Sequence, residues 1–400
     1  MPSIRYPTAS LKPHREESLT GGHLWIFSGA LQQPPHWIEA GGLVDVKSST
    51  GQFIARGYYN PHTDIAIRIL TRDPEEAIDA DFLRRRVRRA LELRQVFDPA
   101  YTNAYRLIHS EGDGLPGLVV DRYADILVAQ LHTAGIERLR PFLLEALMQE
   151  TGVSGILLRN DSQARRREGL AIEEPIVVAG DVPATVAIRE NGVQFLVDPW
   201  AGQKTGFFLD QRDKRESLRK YTHGKRILNC FCYTGGFSLY AALSDATTRT
   251  SSVDISSSAI DATYEHFKLN GLDPSLHELH IADVFDYLEV ALRQQELFDV
   301  VVLDPPAFAK SQSARTQALK AYRRLNTLGM QVLRPGGILL TCSCSGVVGM
   351  DDLLGVVSQS AQRLQRAVQL LETYTHGVDH PMNIAMPETA YLKALFCRVL

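Results

Sequence analysis

The chain has 400 residues, a formal net charge of −3, 44% hydrophobic and 22% charged residues. This composition is typical of a globular protein of two or three domains, and the near-neutral charge gives no overall signal for nucleic acid. The N-terminus has no apolar signal segment and no run of about 18 apolar residues occurs, so we expect a cytoplasmic protein rather than a secreted or membrane-spanning one.

The first 72 residues carry short β-like runs at 43–46, 52–59 and 65–70, separated by glycine- and proline-rich turns. This pattern predicts a small β-barrel. The stretch His-Leu-Trp-Ile-Phe-Ser-Gly-Ala at 23–30 resembles the start of a PUA domain, a module that binds structured RNA. The resemblance implies RNA contact by Trp25, whereas the alternative is a core position for Trp25 in a generic barrel.

Residues 81–97 have helical spacing of apolar residues, and arginines crowd the remaining positions. Such a face would suit RNA phosphates, because neutralising them releases counterions. A solvated helix face paired to local acids is equally compatible with the pattern. A second arginine run, at 165–167, is expected in a loop. The candidate RNA contacts on these two segments are Arg84, Arg85, Arg88, Arg165 and Arg166.

From residue 186 a hairpin is predicted, with its turn at Asn191-Gly192, and from residue 225 onward β-rich runs alternate with helical patterns. The alternation indicates an α/β fold with a doubly wound, Rossmann-like sheet of seven strands. The runs are 226–229, 250–254, 279–282, 298–304, 337–343, 370–374 and 392–399. We therefore predict three domains: a PUA-like β-barrel at 1–72, a central α+β domain at 73–182 and the Rossmann-like domain, including the 186–197 hairpin, at 183–400.

Polar residues and glycines mark successive strand ends of the predicted sheet. Gly235-Gly236 follows the first strand, and Asp254, Asp283 and Asp304 close the next three. Because parallel strands end at one edge of a sheet, these residues describe one ligand crevice. The glycine turn departs from the dinucleotide pattern G-x-G-x-x-G, which argues against a hydride-transfer cofactor. For Asp254 and Asp283 the alternative role is to cap the N-termini of helices.

The motifs Asn-Cys-Phe-Cys-Tyr-Thr-Gly-Gly-Phe at 229–237, Asp-Pro-Pro at 304–306 and Ser-Cys-Ser-Gly at 343–346 resemble class I S-adenosylmethionine-dependent methyltransferases. More narrowly, the whole chain is similar to the bacterial large-subunit ribosomal RNA cytosine-5 methyltransferases, built as PUA, small α+β and Rossmann-like domains. The resemblance implies S-adenosylmethionine as cofactor, RNA as partner and, by family precedent, a homodimer. The cofactor-binding residues that it implies are Phe207, Asp210, Arg212, Asn229, Tyr233, Thr234, Gly235, Gly236, Asp254, Asp283 and Asp304.

The same resemblance implies a covalent mechanism centred on Cys344. A thiolate that adds to C6 of cytosine makes C5 nucleophilic, which divides one difficult step into two. Cys342 lies two residues away, but Cys344 occupies the matched Ser-Cys-Ser motif. Cys230 and Cys232 have no such match and are expected to be packing residues, and the C-x-C spacing does not suit a zinc site.

Asp304, Pro305 and Phe308 are the remaining catalytic candidates, which would hold and stack on the target base. The better-known two-cysteine RNA methyltransferases place a cysteine after the proline of this motif, and this chain has Ala307 after Pro306. The group that removes the C5 proton is therefore unassigned. Two other functions remain open: methylation of an exocyclic amine of adenine or guanine by the same fold, and RNA binding without catalysis in ribosome assembly.

Overall fold

The computed structural model describes residues 5–33, 35 and 37–400. The chain forms two compact units. The first consists of Met1–Arg189, Val197–Leu209 and Val378–Thr389, and the second of Glu190–Leu196, Asp210–Gly377 and Ala390–Leu400. Within the described residues, no helix combines the length and apolar character needed to cross a membrane.

The first unit begins with a five-stranded sheet in the order β1-β3-β4-β5-β2. Its strands agree with the predicted barrel runs, and its interior is apolar, with Val44, Ala55 and Ile67 fully buried. The elements are β1 (Thr8–Ser10), α1 (Glu17–Thr20), β2 (Trp25–Phe27), β3 (Gly42–Lys47), β4 (Phe53–Tyr59) and β5 (Ile65–Thr71).

A second five-stranded sheet, in the order β10-β9-β8-β7-β6, follows in the first unit. The predicted arginine-rich helix packs its apolar face, including Phe82 and Val87, into the same core as this sheet. Asp79 caps the helix by accepting the Phe82 N–H at 2.8 Å. The elements are α2 (Ala80–Arg94), β6 (Ala104–His109), β7 (Leu118–Tyr123), β8 (Ile126–Leu131), α3 (Ala134–Arg138), α4 (Arg140–Thr151), β9 (Gly155–Leu158), α5 (Ala164–Arg167) and β10 (Ile176–Gly180).

The predicted hairpin consists of β11 (Val186–Glu190) and β12 (Val193–Val197). Asn191 and Gly192 join the strands with φ angles of +49° and +79°. Positive φ at both central residues is the requirement of a type I′ turn, which Asn-Gly meets at little cost.

The second unit is a seven-stranded sheet in the order β15-β14-β13-β16-β17-β19-β18, which confirms the predicted doubly wound fold. The five strands from β15 to β17 are parallel, and β19 is antiparallel to both β17 and β18. The elements are α6 (Arg212–Leu218), β13 (Arg226–Cys230), α7 (Gly236–Ala242), β14 (Arg249–Asp254), α8 (Ser257–Leu269), β15 (Glu278–Ile281), α9 (Val284–Arg293), β16 (Phe298–Leu303), α10 (Arg315–Gln331), β17 (Leu333–Ser343), α11 (Met350–Leu364), β18 (Val368–Tyr374) and β19 (Lys393–Val399).

Strand order reverses between β13 and β16, the first and fourth strands of this sheet in chain order. The central strands are buried on both faces, which explains why Val300, Val301 and Val302 form a continuous apolar run instead of alternating with polar residues. Ligands of open α/β sheets bind outside the carboxyl ends of the strands at such a reversal. The polar residues predicted at the strand ends lie at this edge.

Candidate active site

The turn after β13, residues 231–236, is here called the glycine turn, and its backbone repeatedly enters the left-handed region. Phe231, Tyr233 and Gly235 have φ angles of +59°, +47° and +76°. Non-glycine residues adopt such angles only at a cost, and the surrounding structure has to hold them there. At Gly235 a Cβ atom would lie 2.3 Å from Thr263 Cγ2, so both conformation and space require glycine.

Two buried side chains of α8 bind carbonyls of the glycine turn. Thr263 Oγ1 donates to the Tyr233 carbonyl at 3.1 Å, and His266 Nδ1 lies 2.9 Å from the Thr234 carbonyl. The other ring nitrogen, Nε2, accepts the Leu196 N–H at 2.9 Å, so the neutral ring with its proton on Nδ1 satisfies both contacts. Burial lowers the pKa of His266 and favours this neutral form.

Asp254 lies at the end of β14 and binds the glycine turn directly. Its Oδ2 accepts the Tyr233 N–H at 2.9 Å and its Oδ1 accepts the Ser256 N–H at 3.0 Å. It does not cap α8, because Ser256 does so by accepting the Ala259 N–H. A carboxylate oxygen has two acceptor sites, so each oxygen of Asp254 retains one for a ligand. Ile255, which was not predicted, follows and is 74% exposed.

Asp283 is the N-cap of α9, where its Oδ1 accepts the N–H groups of Phe285 and Asp286. The alternative role considered for this residue, helix capping, is therefore confirmed. The carboxylate is exposed at the ligand edge, just beyond the end of β15. Capping leaves its second oxygen available, so the two roles are compatible.

Asp304 follows β16, where its Oδ1 accepts Gln211 Nε2 at 2.8 Å. The segment that contains Gln211 continues into α6 and is fixed at Asp210, whose Oδ2 accepts the Tyr391 hydroxyl at 2.6 Å. Lys214 is fully buried on α6 and donates to the Asp210 carbonyl at 2.6 Å. These contacts hold the segment 210–214 next to the end of β16, and two of their residues, Lys214 and Tyr391, were not predicted.

Cys344 follows directly after β17 and is partly exposed. Its Sγ lies 3.9 Å from the Pro305 carbonyl oxygen, which brings the predicted nucleophile and the Asp-Pro-Pro motif together. Phe308, from the same loop, packs its ring at 4.7 Å from Tyr322 and remains partly exposed. The four predicted catalytic residues therefore belong to two adjacent strand ends.

The segment Ser343–Ser345, here called the cysteine turn, is held by buried polar side chains. Ser343 Oγ and the Tyr322 hydroxyl are 2.9 Å apart, and Ser345 Oγ donates to the Ala309 carbonyl at 2.6 Å. Lys393 Nζ donates to the Ser345 carbonyl, also at 2.6 Å. These contacts fix the backbone on both sides of Cys344 and leave its side chain accessible.

The other cysteines are buried. Burial raises the pKa of Cys230, Cys232 and Cys342 well above the usual thiol range, and that of Cys397 to about 12. A thiol that is both buried and protonated is a poor nucleophile. The distinction that the sequence made between Cys344 and the first C-x-C pair thus has a physical basis in exposure.

Three residues that were predicted to bind the cofactor are buried. Phe207 is buried, and its N–H donates to the Tyr123 hydroxyl at 3.1 Å within the first unit. Arg212 and Asn229 are buried in the second unit, and Asn229 Nδ2 donates to Ser238 Oγ at 2.9 Å. Their predicted contacts with a cofactor stay predictions.

The predicted RNA contacts separate into paired, buried and exposed residues. Arg84 and Arg88 both bind Glu150, and Arg85 binds Glu76, as in the alternative of a solvated face paired to acids. Trp25 Nε1 donates to Glu111 at 2.9 Å. The three arginine side chains of the ion pairs are exposed, and surface ion pairs of this kind contribute little to stability.

The predicted loop at Arg165–Arg167 is wrong, because these residues lie in the short helix α5. Arg165 is 1% exposed and binds Glu137 and the Leu131 and Ala171 carbonyls, so it is not available to RNA. Arg166 is exposed. Arg86 and Arg89, which were not predicted, line a cavity of about 450 Å³ together with Arg72.

The residues at the ligand edge fit S-adenosylmethionine. Two buried polar atoms there, Asn229 Oδ1 and Thr234 Oγ1, have no hydrogen-bond partner within the described residues, although buried polar atoms are normally paired. Gly235 keeps the turn free of side chains, and Asp254 offers acceptors for ribose hydroxyls. The site therefore provides a close backbone approach, an acidic group and unmet hydrogen-bonding capacity.

Comparison with known proteins agrees with this geometry. Residues 159–398 match the family model of S-adenosylmethionine-dependent methyltransferases, and residues 10–72 match that of a PUA-like domain. A solved protein from Streptococcus mutans superposes with a TM-score of 0.83 at 22% identity, covering 98% of this chain and 100% of that one. At that identity the likeness shows the fold.

Relatives of known name extend over the full length. The ribosomal RNA large subunit methyltransferase I of Shewanella denitrificans is 43% identical over 395 residues, which cover 97% of this chain and 98% of that protein. The protein of the same name from Klebsiella pneumoniae strain 342 is 40% identical over 396 residues and covers 99% of both chains. The chain therefore belongs to the family of S-adenosylmethionine-dependent methyltransferases that includes the ribosomal RNA large subunit methyltransferases I.

Proposed function

We propose that this protein methylates C5 of a cytosine in large-subunit ribosomal RNA through a covalent bond between Cys344 Sγ and C6 of the base. The observation that carries the proposal is the position of Cys344: a partly exposed thiol 3.9 Å from the Pro305 carbonyl at the ligand edge. The names of the full-length relatives support ribosomal RNA as the substrate.

The cofactor is S-adenosylmethionine, as the family match shows. When bound, it supplies a methyl group attached to a positively charged sulfur. We assign its binding to the glycine turn and to the polar groups around it: the Asp254 carboxylate would accept the ribose hydroxyls, and the exposed Ile255 side chain would cover an adenine face. The full set is Asn229, Tyr233, Thr234, Gly235, Gly236, Asp254, Ile255, Asp283 and Asp304, with Asp210 and Arg212 contributing from the preceding segment.

Cys344 acts as the nucleophile in this proposal. Its thiolate adds to C6, the C5–C6 double bond opens, and the negative charge that develops on the ring makes C5 reactive towards the methyl group. Removal of the C5 proton then restores the double bond and expels the sulfur. The rigid cysteine turn supports this role, because it fixes the direction of attack.

Asp304 and Phe308 orient the base. The Asp304 carboxylate would accept a hydrogen bond from the exocyclic amine of cytosine. Gln211 Nε2 donates to Oδ1 at 2.8 Å and holds the carboxylate in place. Phe308 offers a partly exposed ring on which a flipped base can stack. A base held on its amine edge presents C6 to the neighbouring thiol.

RNA binding by the N-terminal part is a further element of the proposal. We divide the work among three domains, at 1–72, 73–182 and 183–400, with the first two binding RNA and the third performing the transfer. The match of residues 10–72 to a PUA-like domain supports this division. Trp25 and the exposed arginines Arg84, Arg85, Arg88 and Arg166 are the proposed contacts. A homodimer stays a prediction.

A mechanism-based trap tests the function. Large-subunit ribosomal RNA transcribed with 5-fluorocytidine should form an adduct with the protein that survives denaturation, because fluorine at C5 cannot leave as a proton does. Cys344→Ala should abolish the adduct and lower methylation of normal RNA by about 10³-fold or more. The measurement is a denaturing gel with radioactive cofactor, together with the methylation rate.

The matched control is Cys342→Ala, which removes the other thiol of the same C-x-C pair and should retain the adduct, since Cys342 is fully buried. Methylation without an adduct would contradict the thiol mechanism and favour transfer to an exocyclic amine. RNA binding with neither adduct nor methylation would favour an assembly factor without catalysis.

A further inference from the structure

Lys393 is a buried cation beside the cysteine turn. It begins β19, is 5% exposed, and pairs across the sheet with Ser343. Its Nζ donates to the Ser345 carbonyl at 2.6 Å and to the Tyr391 carbonyl at 2.9 Å. Within the described part of the chain it forms no ion pair with a carboxylate. A lysine buried in this way is rare and expensive, because its charge loses hydration without a counter-charge.

The two carbonyl contacts hold the nitrogen in either protonation state. A neutral amine has two N–H donors and one lone pair, and an ammonium has three N–H donors. Two donors therefore serve the Ser345 and Tyr391 carbonyls in both states. The remaining position on the nitrogen is a lone pair in one state and an N–H in the other, so one proton can be gained or lost without moving the side chain.

Cys344 lies between two residues that are close to Lys393 in the sheet. Cys344 has Ser343, the strand partner of Lys393, on one side and Ser345, whose carbonyl Nζ binds, on the other. Burial lowers the pKa of Lys393, and the negative charges of Cys344 and then Asp352 oppose this effect. Burial therefore opposes the ammonium and a thiolate at Cys344 favours it, so the charge of each group depends on the other.

The other titratable groups around the cysteine turn come from several elements, and most of them are anionic when ionised. Negative charge near a thiol disfavours the thiolate, so a cation is needed to offset them. Lys214 is occupied at the Asp210 carbonyl. The groups are Cys342 on β17, Tyr322 on α10, Asp304 after β16, Asp352 on α11, which is already paired with Arg315 of α10, and Lys214 on α6.

We propose that Lys393 is a positioning residue that takes the proton of the Cys344 thiol and remains beside it as the counter-ion of the thiolate. The S–H bond breaks and an N–H bond forms, and the electron pair left on sulfur is the pair that bonds to C6 of the base. When the sulfur is expelled at the end of the reaction, the thiolate–ammonium pair is restored. This role rests on the proposed function for its consequence, but the proton transfer itself requires no RNA.

The test is the pH dependence of alkylation of Cys344 by iodoacetamide in the full-length protein, followed by mass spectrometry of the Cys344 peptide. The wild-type midpoint should lie at least about one unit below the ~8.5 of a free thiol. Lys393→Met keeps the apolar stem and removes the charge, so the midpoint should rise by about 1–2 units and the rate near pH 7 should fall roughly 10-fold.

Ser345→Ala is the matched control, because it removes the Oγ bond to the Ala309 carbonyl and loosens the same turn without changing its charge. Its midpoint should stay at the wild-type value. A midpoint unchanged in Lys393→Met, or raised equally in both variants, would mean that Lys393 only supports the backbone and would overturn the proposal.

A second measurement needs no lysine variant, so misfolding of that variant cannot affect its result. The ultraviolet absorbance of the thiolate, taken as wild type minus Cys344→Ser, gives the midpoint directly, and an ordinary thiol value there overturns the proposal alone. A low midpoint without a 5-fluorocytidine adduct would refute the cytosine mechanism and leave the lysine pair standing. An adduct with an ordinary midpoint would support the cytosine mechanism and refute the lysine pair. The failures of the two proposals are therefore distinguishable.

Discussion

The glycine turn at the end of β13 and the cysteine turn at the end of β17 each contain the second cysteine of a C-x-C pair and lie at the same edge of one sheet, yet they are built differently. The glycine turn takes its shape from the backbone, with positive φ at three of its residues, and its pair, Cys230 and Cys232, is buried. The cysteine turn has no positive φ, is tied by polar side chains, and exposes Cys344.

The difference shows that a spacing motif does not determine what a thiol does. In both pairs the first cysteine lies inside a strand and is fully buried. The second follows the strand, and its exposure depends on which way the turn leaves the sheet: Cys232 is 5% exposed beneath the glycine turn, whereas Cys344 faces the Pro305 carbonyl. A backbone-shaped turn serves a ligand that approaches the main chain, and a side-chain-tied turn presents one reactive group.

The largest expected effect is a difference in thiol reactivity between the two turns. Iodoacetamide at neutral pH should modify Cys344 about 10³-fold faster than Cys232, because a buried thiol reacts only after an opening that costs about 4 kcal/mol. The rates are read from peptides of the native protein, and Cys397 serves as a second buried reference. Equal rates for Cys232 and Cys344 would remove the distinction between the turns.

The second prediction concerns the backbone of the glycine turn. Gly235→Ala should weaken S-adenosylmethionine binding about 100-fold, because the new Cβ would lie 2.3 Å from Thr263 Cγ2 and the φ of +76° adds a cost of about 1–2 kcal/mol. Isothermal titration gives the affinity. The double variant Gly235→Ala/Thr263→Ala removes Cγ2 and should recover part of the loss.

Gly271 is the matched control for this variant, because it has a similar φ of +71° but open space around a Cβ. Gly271→Ala should show the conformational cost alone, as a small loss of stability with unchanged cofactor affinity. If Gly235→Ala behaves like Gly271→Ala, the tight packing under the turn has no role in binding.

Much of this architecture could be predicted from the sequence, for identifiable reasons. All seven strands of the seven-stranded sheet were recognised, because buried strands such as β16 leave continuous apolar runs and the runs alternate with helical patterns, and polar strand ends such as Asp254 and Asp304 marked the ligand edge. The thiol of Cys344 was singled out by resemblance to a family, and the contact with the Pro305 carbonyl brings it to the same edge.

Several buried polar groups, including those that support the two turns, could not be predicted, because their residue types are common at protein surfaces. Thr263 and His266 fall at helical spacing on the buried stripe of α8, but that spacing does not show which carbonyls they bind. Lys393 and Arg165 are cations, which sequence patterns assign to the surface, whereas both are buried with carbonyl partners. Only the tertiary structure supplies those partners.

The smallest expected effect is a pH dependence of cofactor affinity that arises in the glycine turn. Burial lowers the pKa of His266, so the neutral ring that joins Thr234 to Leu196 persists below the ordinary value of about 6.5 and is lost only as the pH falls through the lowered pKa. Protonated Nε2 can no longer accept the Leu196 N–H. We therefore expect S-adenosylmethionine affinity to fall about 3- to 10-fold between pH 7.5 and the acid side of this transition, because one neutral hydrogen bond contributes about 0.5–1.5 kcal/mol.

His266→Asn should show weaker binding at neutral pH and a flatter pH profile, because an amide can still donate to the Thr234 carbonyl but does not titrate. His277 is the control: burial lowers its pKa to about 4, yet its ring contacts Thr250 and Phe267 rather than the glycine turn. His277→Asn should change acid stability and leave the pH profile of cofactor binding in place. A profile that flattens in His277→Asn instead would assign the acid effect to general loosening of the fold, and the glycine turn would then have no titratable support of its own.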